Sequence, residues 1–244
     1  MTGLWLAIDT ATDIASVAVG QPPNTAAGAE VRGARRHATE ILRLVDFVLR
    51  RADVTVAELE GIVLGDGPGS FTGLRIGWAA AKGLAQEPGL DLVRLPSLMA
   101  WAAAAARKIG PAPIAACFDA LRGQVYGAMY RISPDHVETL LEPTLGTMAE
   151  LARAAPERPV LVVGDGAVRH ADASTQWSGA APIGLESLPP SAPLLLALEA
   201  YHGLGHPIND PLTAEPVYGR PAEAQARWEA AHGRPLPDTP GRAR

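Results

Sequence analysis

Apolar residues enter the chain in short runs. Leu4 to Ile8 and Ile14 to Gly20 are apolar or β-branched, and Asp9-Thr10-Ala11-Thr12-Asp13 between them is polar, which predicts two strands joined by a turn. From His37 to Ala52 the period changes. Ile41, Leu42, Leu44, Val45, Val48, Leu49 and Ala52 recur at helical spacing while Arg43, Asp46 and Arg50 gather opposite them, which predicts an amphipathic helix. Its apolar arc runs from Leu44 round to Leu42 and is wider than a core stripe needs, so part of it is expected to face a partner.

Gly61 to Gly65 reads as a buried strand, Asp66 to Gly69 as a turn, and Ser70 to Gln86 as a second helix with Ser70 as its N-cap. A strand at Leu90 to Leu95 and an alanine-rich helix from Ser97 to Lys108 follow, and Pro111 and Pro113 mark a break where a second lobe begins. That lobe reads as strands at Ile114 to Phe118, Gln124 to Ile132 and Val137 to Leu141, a helix near Met148 to Ala154, and a strand at Val160 to Val163. The Pro-rich stretch Leu188 to Pro193 precedes an apolar helix, Leu194 to Tyr201. The expected organisation is an α/β lobe over 1–110, a second α/β lobe over 111–210, a segment over 211–232, and a Pro-, Gly- and Arg-rich tail over 233–244 expected to be disordered.

With 244 residues, 48% hydrophobic and 19% charged, the chain can bury one or two ordinary cores. A net charge of -5 argues against gripping nucleic-acid phosphates unaided, because that affinity comes mostly from Lys and Arg displacing counterions. The single cysteine, Cys117, lies in an apolar run and rules out a disulfide framework within the chain. No apolar run approaches the roughly 20 residues a membrane span requires, and no basic segment precedes Leu4. A cytoplasmic location is the expectation.

Five glycines fall between Gly65 and Gly77. Gly73 and Gly77 lie inside the second helix, where Gly costs about 1 kcal/mol relative to Ala, so close approach of another element must compensate. With Ala81 they form a strip of small residues suited either to packing on the first helix or to contact with another chain. A phosphate loop is the competing reading, but Leu74 and Arg75 stand where a Walker loop needs Lys and Ser or Thr, and the dinucleotide spacing is also unmet. Ser70 lacks a nucleophile elbow. The His202-x-x-x-His206 spacing carries two glycines and a following Pro207, a poor platform for a metal. His37 and Glu40 open the first helix, where capping and partner contact are equally open readings.

The run Gly67-Pro68-Gly69-Ser70-Phe71-Thr72-Gly73-Leu74-Arg75-Ile76-Gly77 closely resembles the signature of the TsaB family, also called YeaZ, of threonylcarbamoyladenosine-synthesis proteins. Leu6-Ala7-Ile8-Asp9-Thr10-Ala11-Thr12, Arg36-His37-Ala38-Thr39-Glu40 and Pro216-Val217-Tyr218-Gly219-Arg220 resemble its other motifs, in the same order and spacing. One departure stands out: the family's Asp-Ala-Arg-x-Gly-Glu-Val-Tyr appears as Asp119-Ala120-Leu121-Arg122-Gly123-Gln124-Val125-Tyr126.

The resemblance implies the two-lobed actin-like ATPase (ASKHA, ribonuclease H-like) fold, with 211–232 returning to the first lobe. It also implies a non-catalytic subunit that pairs with TsaD, the catalytic paralogue, and is joined by TsaE. That complex transfers threonylcarbamoyl to the adenosine 3′ of the anticodon in tRNAs reading A-starting codons. Asp9 and Thr10 would be a vestigial phosphate turn, with no catalytic residue and no metal ligand on this chain. ATP, ADP or metal would enter only within the complex, tRNA would be met only indirectly, and a homodimer would form without TsaD. His37, Glu40, Ile41, Leu44, Val45, Val48, Gly73, Gly77 and Ala81 are the expected partner interface. The alternative is an independent ATPase, kinase or metallopeptidase-like enzyme of the same fold.

Overall fold

A computed structural model describes residues 3–86, 89–201, 203–220 and 231–232. The opening runs form antiparallel β1 (Leu4–Asp9) and β2 (Ile14–Gly20), and β3 (Ala27–Arg32) pairs with the far edge of β2. The first helix, α1 (His37–Ala52), occupies the span its periodicity predicts. β4 (Leu59–Gly65) lies parallel to β1; α2 (Phe71–Ala85) leads to β5 (Asp91–Leu95), parallel to β4, and α3 (Ser97–Ile109) closes the unit.

The pattern then repeats. β6 (Pro113–Asp119), β7 (Val125–Ile132) and β8 (Val137–Gly146) are antiparallel, and α4 (Met148–Ala154) leads to β9 (Leu161–Val163), parallel to β6. Short helices α5 (Asp165–Arg169) and α6 (Ala171–Ser178) follow, then α7 (Ser191–Glu199) and a two-residue strand β10 (His206–Pro207) beside β5. Among the described residues the sheet orders are β10-β5-β4-β1-β2-β3 and β8-β7-β6-β9. In each, an antiparallel triplet is followed by a strand, β4 or β9, that pairs parallel with its first member. This duplicated arrangement is the two-lobed actin-like ATPase fold.

The expected division at 110/111 separates the sheets but not the core. α3 is buried from Ser97 to Ala106 and packs on β6 and β7 of the second sheet, while α7 packs on β1 and β2 of the first. Both helices are apolar on nearly every side, so one sheet cannot cover either of them. They also pack on each other, and one core cluster runs from Trp5 and Ala7 through Trp101 and Leu195 to Tyr130 and Val163. Parting the lobes would expose Leu194, Leu195, Leu196 and Leu198, all within 1% of full burial, at roughly 1.5–3 kcal/mol each. A second cluster joins α1 and α2 to the outer face of the first sheet.

Some elements differ from their predicted form. β3, α5 and α6 were not predicted, β8 runs past Leu141 to Gly146, and α7 starts at Ser191 rather than Leu194. Leu194 follows Pro193, which fits the first turn of a helix because its missing N–H has no partner to lose there. The tail over 233–244, His202 and most of 221–232 lie outside the described residues.

Candidate functional site

The β1–β2 turn and the β6–β7 turn face a cleft of about 430 Å³ between the lobes. On the first side, Asp9 ends β1 and is 1% exposed. Its Oδ1 accepts from the Ser97 hydroxyl at 2.9 Å and the Ala11 amide at 3.2 Å. Burial pushes the Asp9 carboxyl above the usual carboxylate range, against hydrogen bonds that hold it down. Gly65 makes room for this group: a Cβ there would lie 2.7 Å from Ser97 Oγ and closer still to Asp9 Oδ1.

The turn after Asp9 is filled by its own chain. The Ser70 amide donates to the Ala11 carbonyl at 2.7 Å, and the Ser70 hydroxyl caps α2 by accepting from the Gly73 amide at 3.2 Å. A Cβ on Gly69 would meet the Ala11 carbonyl, one on Gly73 the Thr10 carbonyl, and one on Gly77 the Thr10 hydroxyl, each at less than 3.0 Å. The glycines of α2 therefore admit the β1–β2 turn, a neighbour that neither reading of the strip named, while Ala81 lies in the cluster with Ile41, Val45 and Val48 of α1.

The second turn is held differently. Leu121, Arg122 and Gly123 all have left-handed backbone, with φ of 61°, 54° and 78°. Asp119 stabilises this turn, its Oδ1 accepting from the Leu121 amide at 3.0 Å and its Oδ2 pairing with Arg169 at 3.0 Å. Asp165 accepts from the Asp119 amide at 3.3 Å, and burial raises its carboxyl above the ordinary range. The carboxylates at this end of the cleft are thus committed to the fold.

The Pro216-Val217-Tyr218-Gly219-Arg220 motif crosses the mouth between the turns. The Val217 amide donates to the Asp66 carbonyl at 2.9 Å and its Oδ1 at 3.2 Å; the Tyr218 hydroxyl accepts from Arg75 Nε at 3.0 Å. Arg220 donates to the Tyr126 hydroxyl at 3.1 Å and to the Ala120 carbonyl. The motif therefore touches both lobes, not the first alone. Sequence reading named the motif but missed these contacts, since Tyr218 and Arg75 are 143 positions apart.

The expected partner interface needs the larger correction. His37, Ile41, Val45, Val48, Gly73, Gly77 and Ala81 are buried within this chain. His37 is 0% exposed, its Nε2 3.3 Å from the Asp13 carbonyl, tying the start of α1 to the first turn. Glu40 and Leu44 are half-buried, and Glu40 pairs with Arg43 at 3.4 Å. Phe47, which the periodicity did not single out, stands 54% exposed beside Leu44, and Leu42 is 59% exposed on the opposite flank. Leu42 and Phe47 lie about 140° apart on the helix, so they do not form one patch. Half-buried Leu44, Ile76, Ala80 and Leu84 border the core that joins α1 to α2.

A larger cavity of about 960 Å³ opens near Pro23, Tyr201 and His136 and includes no residue of either turn. Among the described residues no group of three or more His, Cys, Asp or Glu is placed to hold a metal. Among them, too, no helix is long and apolar enough to cross a membrane.

Comparison with known proteins agrees with this architecture. A family model described as TsaD: tRNA N6-adenosine threonylcarbamoyltransferase matches residues 31–171. The chain is 30% identical over 91% of its length, and 96% of the relative's, to the Bacillus subtilis tRNA threonylcarbamoyladenosine biosynthesis protein TsaB. It is 39% identical to the Escherichia coli protein of that name over 52% of its own length and 54% of the relative's, so this match spans about half of that relative. Among solved structures, a Pseudomonas aeruginosa protein with similarity to peptidase YeaZ superposes with a TM-score of 0.74 at 27% identity, covering 90% of this chain and all of that one. YeaZ from the same organism gives 0.68 at 26% identity, over 80% of this chain and 89% of its own. With the duplicated fold, the glycine-shaped turn and near-full-length similarity in accord, the chain belongs to the TsaB (YeaZ) family.

Proposed function

We propose that this chain acts in tRNA threonylcarbamoyladenosine biosynthesis as a non-catalytic partner subunit. It pairs with a TsaD-type transferase that performs the chemistry, is joined by TsaE, and meets tRNA only through the complex. The observation that carries the reading is the filling of the first turn by the start of α2, where Ser70, Gly69 and Gly73 occupy the concave side of Ala11 and Thr10. The Ala11 amide, a donor a nucleotide phosphate would seek in such a turn, is already engaged by Asp9 Oδ1 at 3.2 Å. The common core through α3 and α7 also opposes the lobe opening that a kinase-type cycle uses.

The partner face is the α1–α2 seam, with Leu44, Ile76, Ala80 and Leu84 as its floor and Phe47 as the projecting aromatic. An exposed aromatic on an otherwise amphipathic helix has the character of an interface anchor. Without the transferase the same face supports a homodimer. Light scattering of this chain, its cognate transferase and their mixture tests the reading: a heterodimer mass supports it, and two unmixed species refute it.

An independent ATPase is the second reading, favoured by the cleft of about 430 Å³ between the turns. Calorimetry with ATP and magnesium on the chain alone decides between them, since tight binding with turnover requires the enzyme.

A further inference from the structure

The strap from Pro216 to Arg220 bonds to both lobes within five residues. Towards the first lobe, the Tyr218 ring lies 4.6 Å from that of Phe71, the first residue of α2, and the Arg75 guanidinium lies 4.4 Å over the same Phe71 ring while bonding the Tyr218 hydroxyl. Towards the second lobe, Arg220 bonds the Tyr126 hydroxyl and the Ala120 carbonyl, so it holds the residue that enters the left-handed Leu121–Gly123 turn. Gly219 joins the two anchors with φ of 74°, and a Cβ there would lie 2.9 Å from Pro68 and closer still to the Tyr126 ring. A side chain at that point would lift the strap off both lobes.

The turn it holds is costly. Leu121 and Arg122 sit in a backbone region that residues with a Cβ disfavour, and Leu121 is 60% exposed, so its burial does not offset the strain. Backbone bonds to Gln124 close it, the Ala120 amide donating to the Gln124 carbonyl and the Gln124 amide to the Leu121 carbonyl, both at 3.0 Å; among side chains, Asp119 holds it from inside the second lobe and Arg220 from the strap.

We propose that Tyr218 and Arg220 are positioning residues: through the strap, the conformation of the Leu121–Gly123 turn sets the order of the first turn of α2. Because α2 contributes to the partner face, the second lobe thereby tunes partner affinity without touching the partner. This last consequence rests on the reading given under Proposed function; the coupling itself does not.

Hydrogen exchange on the full chain tests the coupling across the lobes. Arg220→Ala, which removes a second-lobe anchor, is expected to raise exchange several-fold at the amides from Phe71 to Ile76 in the first lobe. Tyr218→Ala is expected to do the reverse at Ala120 to Tyr126. Arg169→Ala loosens Asp119 at the same turn with the strap bonds left in place, and should also raise exchange from Phe71 to Ile76, by less than Arg220→Ala. If each strap variant changes exchange only in the lobe its own side chain contacts, the proposal is overturned. Titration of the cognate transferase then reads the consequence, with Arg220→Ala weakening binding about tenfold at unchanged thermal midpoint; equal binding by both forms refutes the tuning. Failure of the unmodified chain to bind would count against the partner role alone, leaving the exchange result to stand or fall separately.

Discussion

The Thr10 carbonyl oxygen occupies the space that a Cβ on Gly73 would need. Two residues far apart in sequence are thus fitted backbone to backbone, and the fit packs the start of α2 against the β1–β2 turn. Replacing Gly73 by Ala should destabilise the chain by about 2 kcal/mol or more even though Ala is the better helix former by about 1 kcal/mol. Gly83 lies on the same helix with nothing within 4 Å of its would-be Cβ, so Gly83→Ala should stabilise by up to about 1 kcal/mol. Urea unfolding of both variants checks the contrast; equal effects would remove the argument for close packing at Gly73.

Burial divides α1 into residues that hold the fold and residues that can meet a partner. Val45 is 3% exposed and Phe47 54%. Val45→Asp should cost at least about 3 kcal/mol and abolish cooperative folding, because an unpaired carboxylate would enter the core. Phe47→Asp should leave the unfolding midpoint within a few degrees and weaken transferase binding at least tenfold. Circular dichroism beside a binding titration separates these outcomes, and a Phe47 variant that binds normally would remove this face from the account.

Asp66 gives the fold a pH signature. Burial raises its carboxyl from 3.8 to about 6, although Arg94 at 3.4 Å and the Val217 amide oppose the shift. The folded chain therefore holds this proton more tightly than the unfolded chain. The resulting stability is full below about pH 4 and is lost as pH rises through about 6, a change on the order of 3 kcal/mol. Glu199, raised by burial to about 7, adds loss in the same direction up to neutral pH. Asp66→Asn should flatten the profile between about pH 4 and pH 6. A wild-type profile whose Asp66-dependent part rises with pH would contradict the assignment.

The Ser70 cap is a local test of how α2 is started. Ser70→Ala removes the oxygen that accepts from the Gly73 amide and should cost about 1 kcal/mol, while Ser70→Asp should retain most of the stability. Thermal unfolding of the pair reads this directly, and equal losses would mean the hydroxyl does not cap.

Much of this was legible in the chain. The period of α1, the Ser70 cap and the turn glycines announce themselves because each is a local signal set by helix geometry or backbone space. β3 was not legible: Ala-Gly-Ala-Glu-Val-Arg has weak alternation and becomes a strand by pairing with β2. The inward or outward aim of an apolar arc was equally hidden. Periodicity places Leu42 and Val45 on one arc, but only packing against β2 and β3 buries Val45 and leaves Leu42 in solvent. The strap could be recognised as a motif, yet what Tyr218 and Arg220 hold depends on contacts across the whole chain.

The central claim is that this chain supplies a partner surface and no chemistry. Its most direct test is threonylcarbamoyl incorporation into tRNA by the reconstituted complex carrying either Asp9→Asn, which alters the buried carboxyl behind the first turn but preserves its hydrogen-bond acceptor, or Phe47→Asp, which alters only the proposed partner face. The account predicts that Asp9→Asn retains activity within about twofold while Phe47→Asp loses at least about tenfold, consistent with the loss of an interface anchor. Loss of activity with Asp9→Asn in a complex that still assembles, and normal activity with Phe47→Asp, would contradict it.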